Sequence, residues 1–231
     1  ATPRHSRMVD AATAGLLAAA AGLTSSGSDA EAALCSPGSS EAGDESNPLD
    51  GAHVHGLRVQ RRALGRRARR ALARAVASAC PALASGAADQ AMFFGDLPPF
   101  ARAAAAAVGG EGWEESLRQR SPRFDAAAVN LYRPGDALTP HIDLTPRYRD
   151  GVAIVSLGGA VVVQFERVDA DSPPATARAL LRPGDILTMA GPARYTWTHG
   201  FAGGEGAWRG RRVERARVRV GVTLRRLRPD P

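Results

Sequence analysis

The chain has 231 residues, enough for one domain with a sizeable core. All 30 of its basic side chains are arginines, against 23 Asp and Glu, and the net charge of +7 suits a polyanionic partner or an Arg- and Ala-rich coding bias without choosing between them. Two cysteines, Cys35 and Cys80, argue against a disulfide framework and a thiolate zinc site, and no apolar run reaches the roughly 18 to 20 residues that a membrane span needs.

A reducing, intracellular setting (cytoplasm or nucleus), a soluble chain and a monomer are the expectations that follow. The Ala-Leu stretch from Ala11 to Leu23, interrupted by Thr13 and Gly15, is read as a short helix. Residues 24–52 are crowded with Ser, Gly, Asp, Glu and Pro, lack apolar periodicity, and are expected to have little order. Residues 1–56 are accordingly a variable, partly disordered segment, followed by one domain over 57–231.

From Arg61 to Ala79 a helix is predicted, with Leu64, Ala68, Leu72 and Val76 as its docking stripe. Its other face carries Arg62, Arg66, Arg67, Arg69, Arg70 and Arg74, which could grip phosphates or merely be solvated. Pro81 ends it, and Leu97-Pro-Pro-Phe introduces a second helix over about Phe100–Val108.

From Ala126 the texture changes to short Val-, Ile-, Leu- and Tyr-rich runs separated by Pro-Gly-Asp and Leu-Gly-Gly turns. Strands are predicted over 126–132, 152–157, 160–167, 177–182, 186–189, 195–199 and 216–226. So many short strands imply a β-sandwich or barrel, with the N-terminal helices against one face.

His141-Ile-Asp143 puts two metal-competent side chains on alternate residues, so that in extended backbone they share a face. Tyr195, Trp197 and His199 alternate likewise farther on. Two imidazoles and one carboxylate are the donor set of the facial triad of non-haem iron(II) oxygenases, which leaves open positions for co-substrate and O₂. His5, His53 and His55 lie in the tail, so both histidines of the expected core belong to this set.

The last strand alternates Arg219, Gly221, Thr223 and Arg225 with Val220, Val222 and Leu224, giving one polar and one apolar face. Its two guanidiniums suit a clamp on a dicarboxylate, although an exposed basic edge strand has the same pattern. Arg194 faces either a substrate or an acidic side chain near the site, or braces the loop through a salt bridge. Asp185 is read as a turn residue, Trp113 and Trp208 as core, and Trp197 as bordering the site.

These residues carry a resemblance. Asn130-Leu-Tyr132-Arg-Pro-Gly-Asp, His141-Ile-Asp143, Ser156-Leu-Gly, Gly184-Asp185, Ala193-Arg-Tyr-Thr-Trp-Thr-His199-Gly and Arg219-x5-Arg225 follow in the order that the AlkB-like dioxygenases have them. Gln90-Ala-Met-Phe-Phe-Gly is similar to a segment upstream in that family. The resemblance spans about residues 88–228, with the motifs in 126–228. It implies an α+β fold with a double-stranded β-helix (jelly-roll) core and buttressing N-terminal helices. It further implies an oxidoreductase using Fe(II), with 2-oxoglutarate and O₂ as co-substrates and His141, Asp143 and His199 as iron ligands. Arg219 would meet the distal carboxylate of 2-oxoglutarate, with Asn130, Tyr132, Thr223 and Arg225 completing its pocket. The implied reaction is oxidative demethylation or hydroxylation of an N-alkylated base in DNA or RNA. Two readings stay beside it: a hydroxylase or demethylase of protein side chains, and a non-catalytic nucleic-acid-binding module on the same fold.

Overall fold

The protein is described from a computed structural model over residues 49–109, 113, 115–120, 123–214 and 217–229. The short helix expected at Ala11–Leu23 falls outside these residues.

Two antiparallel sheets form the body. One has six strands, in the order β2 (Leu57–Gln60), β9 (Ile186–Met189), β6 (Val152–Gly158), β13 (Arg219–Arg225), β4 (Ala126–Tyr132), β3 (Gln90–Phe94). The other has five: β1 (Leu49–Gly51), β8 (Thr176–Leu181), β7 (Val161–Arg167), β10 (Trp197–Phe201), β5 (Leu138–His141). A hairpin of β11 (Glu205–Trp208) and β12 (Arg211–Glu214) pairs with neither sheet but packs on β7 and β8. This is the jelly-roll arrangement, in which strands distant in sequence pair and the inner faces of both sheets enclose a core.

Period-two alternation decides what each face of the six-stranded sheet meets. On β13, Val220, Val222 and Leu224 point outward into a cluster with Leu72, Val76, Leu83, Phe100 and Ala104. These come from α1 (Arg66–Ala79), α2 (Pro81–Ala84) and α3 (Pro99–Ala107). The helices therefore buttress one face, as the sequence implies. Between the sheets, Val152, Val163, Phe165, Leu181, Leu187, Met189, Trp197 and Phe201 form the second cluster.

Several expectations need correction. The first helix begins at Arg66, after Gly65, rather than at Arg61. Its buried residues are Leu72, Ala73 and Val76; Leu64 precedes it and Ala68 is exposed, because a spacing of four drifts around a 3.6-residue turn. Residues 49–56 are not tail: Leu49–Gly51 pairs with β8, and Val54 is buried. His53 and His55 thus sit in an ordered turn between β1 and β2. Strands β2, β3, β5, β11 and β12 carry no strong period-two apolar signal and were not foreseen from sequence. Pro192–Tyr195 is a helical turn, named α4, so the strand bearing His199 starts at Trp197 and Tyr195 is not part of it.

Asp185 is the turn residue it was read to be. Its buried carboxylate accepts from the Arg182 and Arg62 amides at 2.9 Å each and from the Arg61 guanidinium at 2.8 Å. Trp113 packs edge-on against Phe124, and Trp208 against Val162 and Leu180, so both are core.

Candidate metal centre

The two histidines meet through strand register. β10 pairs antiparallel with β5, and His199 lies directly opposite His141, with ring centroids 4.4 Å apart. Gly200 makes the approach possible, since a Cβ there would lie 2.6 Å from the Leu138 carbonyl oxygen and 2.8 Å from the Pro140 nitrogen. No other residue lets β5 lie so close. The Nδ1 of His141 is 2.9 Å from the Thr139 carbonyl, which can only accept. In the neutral imidazole Nδ1 is therefore the atom that carries the hydrogen, and Nε2 the one that could face an ion.

Asp143 lies beyond the end of β5, so extended alternation does not set its place. Two arginines do. The Arg194 Nη1 donates to the Asp143 main-chain carbonyl at 2.9 Å, and the Arg225 guanidinium pairs with Asp143 Oδ1. Oδ2 is buried and has no hydrogen-bond partner. Arg194 is 2% exposed and braces the loop, as one of its two sequence readings held, but through a main-chain hydrogen bond rather than a salt bridge.

The electrostatics keep Asp143 and His199 in ligand form. Burial raises the Asp143 carboxyl, but Arg225 above all, then His199 and Arg194, outweigh it and hold it below the usual carboxylate range. Burial pushes His199 down to about 4, against the pull of Asp143 and with the help of His141, Arg225 and Arg194. A neutral imidazole and an ionised carboxylate are the protonation states that bind a metal.

Two imidazole nitrogens and one orphaned carboxylate oxygen fit a divalent iron by donor chemistry. They do not yet enclose one: among the described residues no group of three His, Cys, Asp or Glu side chains is gathered into an ion-holding geometry. Asp143 is turned onto Arg225 instead.

The expected co-substrate residues share one face. Register sets Arg219 beside Tyr132, Gly221 between Asn130 and Ser156, and Thr223 between Ala128 and Ile154, with Arg225 next in the row. Cross-strand partners point the same way, here toward the inter-sheet space. Arg219 and Thr223 are buried, and the Arg219 guanidinium meets the Ser156 hydroxyl and lies 6.0 Å from the Phe201 ring centroid. Phe201 stacks edge-on against Tyr132 at 4.9 Å. Gly221 keeps room in the row, for a Cβ there would meet nothing nearer than 3.9 Å. Asn130 accepts from the Gln90 side chain at 2.6 Å.

Ser156, Phe201 and Tyr148, whose ring lies 5.0 Å from the Arg225 guanidinium carbon, complete the surroundings. Their part was not read from sequence. Ser156 entered the sequence reading only within the motif Ser156-Leu-Gly, with no role given, and its place depends on the register that sets it beside Gly221.

Residues 62–225, well over half of the chain, match the profile of the 2OG-Fe(II) oxygenase superfamily. The chain belongs to that superfamily, whose members use Fe(II) and take 2-oxoglutarate and O₂ as co-substrates. Within it, the chain is similar to proteins of the AlkB type. Over 77 residues it is 34% identical to tRNA (carboxymethyluridine(34)-5-O)-methyltransferase ALKBH8 of Mus musculus, covering 33% of this chain and 11% of that one. It is 28% identical over 126 residues to the alkylated DNA repair protein ALKBH8 homolog of Arabidopsis thaliana, covering 48% and 36%. The chain thus spans about a tenth to a third of the length of these curated relatives. A solved structure of OsALKBH1 superposes with a TM-score of 0.49 at 17% identity, covering 74% of this chain and 98% of that one. Among the described residues no helix is long and apolar enough to cross a membrane.

Proposed function

We propose that this protein is an Fe(II)- and 2-oxoglutarate-dependent dioxygenase that oxidises an N-alkyl group on a base in DNA or RNA. The observation that carries the chemistry is the facing pair His141 and His199 beside a buried, ionised Asp143 whose Oδ2 has no partner. His141, Asp143 and His199 are the proposed ligands. Arg219 is proposed to hold the distal carboxylate of 2-oxoglutarate, with Asn130, Tyr132, Thr223 and Arg225 around the rest.

When bound, the ion supplies O₂ activation coupled to oxidative decarboxylation of 2-oxoglutarate to succinate and CO₂, with hydroxylation of the prime substrate. The chain's own residues set the conditions. Arg219 offers a buried, permanently charged fork to a carboxylate, and Ser156 orients it. Arg225 neutralises Asp143, and Arg194 holds the loop that presents it. Trp197, Phe201 and Tyr132 keep water from the inner side of the site. A hydroxylated N-methyl group is a carbinolamine, which collapses to formaldehyde and the free nitrogen.

The nucleic-acid substrate is supported by the AlkB-like relatives, named as a tRNA-modifying enzyme and a DNA repair protein, and by the net charge of +7. Formaldehyde and succinate should form with Fe(II) and 2-oxoglutarate on a methylated single-stranded oligonucleotide, with matching mass loss from the oligonucleotide. Turnover on methylated peptides alone would make it a protein-modifying enzyme. Binding without succinate formation would make it a non-catalytic module.

A further inference from the structure

The packing between the sheets stops short of one edge. Residues of β1, β2 and β6–β10 fill the inter-sheet core, but from β3, β4 and β5 it takes only the half-buried Tyr132 and Leu138. There Ala126, Ala128 and Thr223 on the inner face of the six-stranded sheet are still buried, but the next strand, β3, is exposed. Register sets Met92 beside Ala128 and Phe94 beside Ala126, so both point the same way as Thr223 and Arg225. They are 41% and 42% exposed; Leu144, 61% exposed, opens the turn whose Arg147 reaches Phe94, its carbonyl accepting from the Arg147 amide at 3.2 Å. Phe94 is two strands from Arg225, about 10 Å at ordinary strand spacing.

This apolar strip has a basic rim. The Arg147 guanidinium carbon lies 4.5 Å from the Phe94 ring centroid. Arg228, exposed, donates from Nε to the Thr145 carbonyl at 2.8 Å and from its amide to the Arg147 carbonyl at 2.9 Å. The nearby carboxylates are engaged elsewhere: Asp96 with Arg102, Asp125 with Arg226 and Asp89 with Arg133.

We propose that Met92, Phe94 and Leu144, edged by Arg147 and Arg228, are a stacking platform for single-stranded nucleic acid entering the metal centre. The proposal rests on the nucleic-acid reading above and says where the strand runs. A single strand offers planar bases to an aromatic and anionic phosphates to guanidiniums, which is the complement of this patch. A second copy of the chain would bring another body of net charge +7 against the same arginines. The Arg-rich face of α1 does not serve this site, because Leu72 and Val76 dock the helix on the outer side of the six-stranded sheet. The sheet stands between that helix and the histidines.

The test uses the full chain with Mn(II) and 2-oxoglutarate and a short fluorescein-labelled single-stranded oligonucleotide, as DNA and as RNA, followed by anisotropy over a salt series. Phe94→Ala should weaken binding about 5- to 100-fold, the loss of one base stack, and Phe94→Trp should restore it. Arg147→Gln with Arg228→Gln should reduce the salt slope by about 1.4, two contacts at about 0.7 each. Arg66→Gln, Arg67→Gln and Arg74→Gln together should leave affinity and slope unchanged. If the parent binds the oligonucleotide and Phe94→Ala binds as tightly, or Phe94→Trp fails to restore a loss, the platform is refuted while the nucleic-acid reading stands. If the parent binds neither oligonucleotide but binds an acidic peptide, both are refuted.

Discussion

Replacing Arg225 with Met tests the electrostatics of the centre without any turnover assay. The guanidinium and the Asp143 carboxylate are 13% and 4% exposed, so neither is well solvated. Removing the cation leaves a buried carboxylate uncompensated, a loss of about 3 to 5 kcal/mol for a buried pair; the lower figure applies because Arg194 still lies near. Arg225→Met should therefore lower the unfolding free energy of the metal-free protein by about 3 kcal/mol at neutral pH. The double variant Arg225→Met/Asp143→Asn removes both charges and should recover most of that loss, since no uncompensated buried charge remains. Mn(II), which would replace the missing positive charge, should stabilise the single variant by about 2.7 kcal/mol at a hundredfold excess over its Kd. Urea unfolding followed by tryptophan fluorescence, in EDTA and in Mn(II), reads all three quantities. A loss below about 1 kcal/mol, or a double variant no more stable than the single one, would refute the assignment of Arg225 as the counter-charge of Asp143.

The other predictions concern the remaining ligands and the co-substrate. His199, pushed to about 4 by burial, has a folded pKa below its ordinary 6.5, so the unfolded chain binds the extra proton. Its contribution is intact above about pH 6.5 and lost as pH falls toward about 4, a total of about 3 kcal/mol; urea midpoints should drop across that window, and His199→Gln should flatten the drop. Arg219→Ala should raise the KM for 2-oxoglutarate about 30- to 1000-fold, corresponding to a buried charge-assisted contact of about 2 to 4 kcal/mol; an unchanged KM with poorer use of the prime substrate would move Arg219 to the substrate side. His141→Ala and His199→Ala should abolish succinate formation, whereas His53→Ala and His55→Ala, in the exposed turn before β2, should retain it.

What the sequence disclosed depends on whether a residue's role is set locally. The alternation on β13 could be read directly, and its polar face does turn inward while Val220, Val222 and Leu224 meet the helices. Helix α3 was legible from its Leu97-Pro-Pro-Phe start, and the Arg-rich helix from its apolar stripe. The start of α1 was misjudged because Arg61 and Arg62 suit a helix by propensity, yet they are drawn to the buried Asp185, over a hundred residues away. Tyr195 matched an alternating pattern with Trp197 and His199, but Pro192 at the start of a helical turn fixes the backbone differently. Strands as short as Leu49–Gly51 and Leu138–His141 exist through pairing with distant partners, which no local pattern records.

The same distinction divides the three proposed ligands. His141 and His199 are placed by strand pairing and by the absence of a side chain at Gly200, so their approach is built into the sheet. Asp143 has no such support, since β5 ends two residues earlier and the next stretch is irregular. Its position depends on two guanidiniums from far along the chain, one on its carbonyl and one on its carboxylate. Its unpartnered Oδ2 and the neutral His199 would be the donors offered to a divalent ion, with His141 as the third proposed ligand. Arg225 lies in the row with Thr223 and Gly221, where an anionic co-substrate is proposed to sit. The guanidinium that balances Asp143 therefore also borders the proposed co-substrate pocket, so the two proposed sites share one cation.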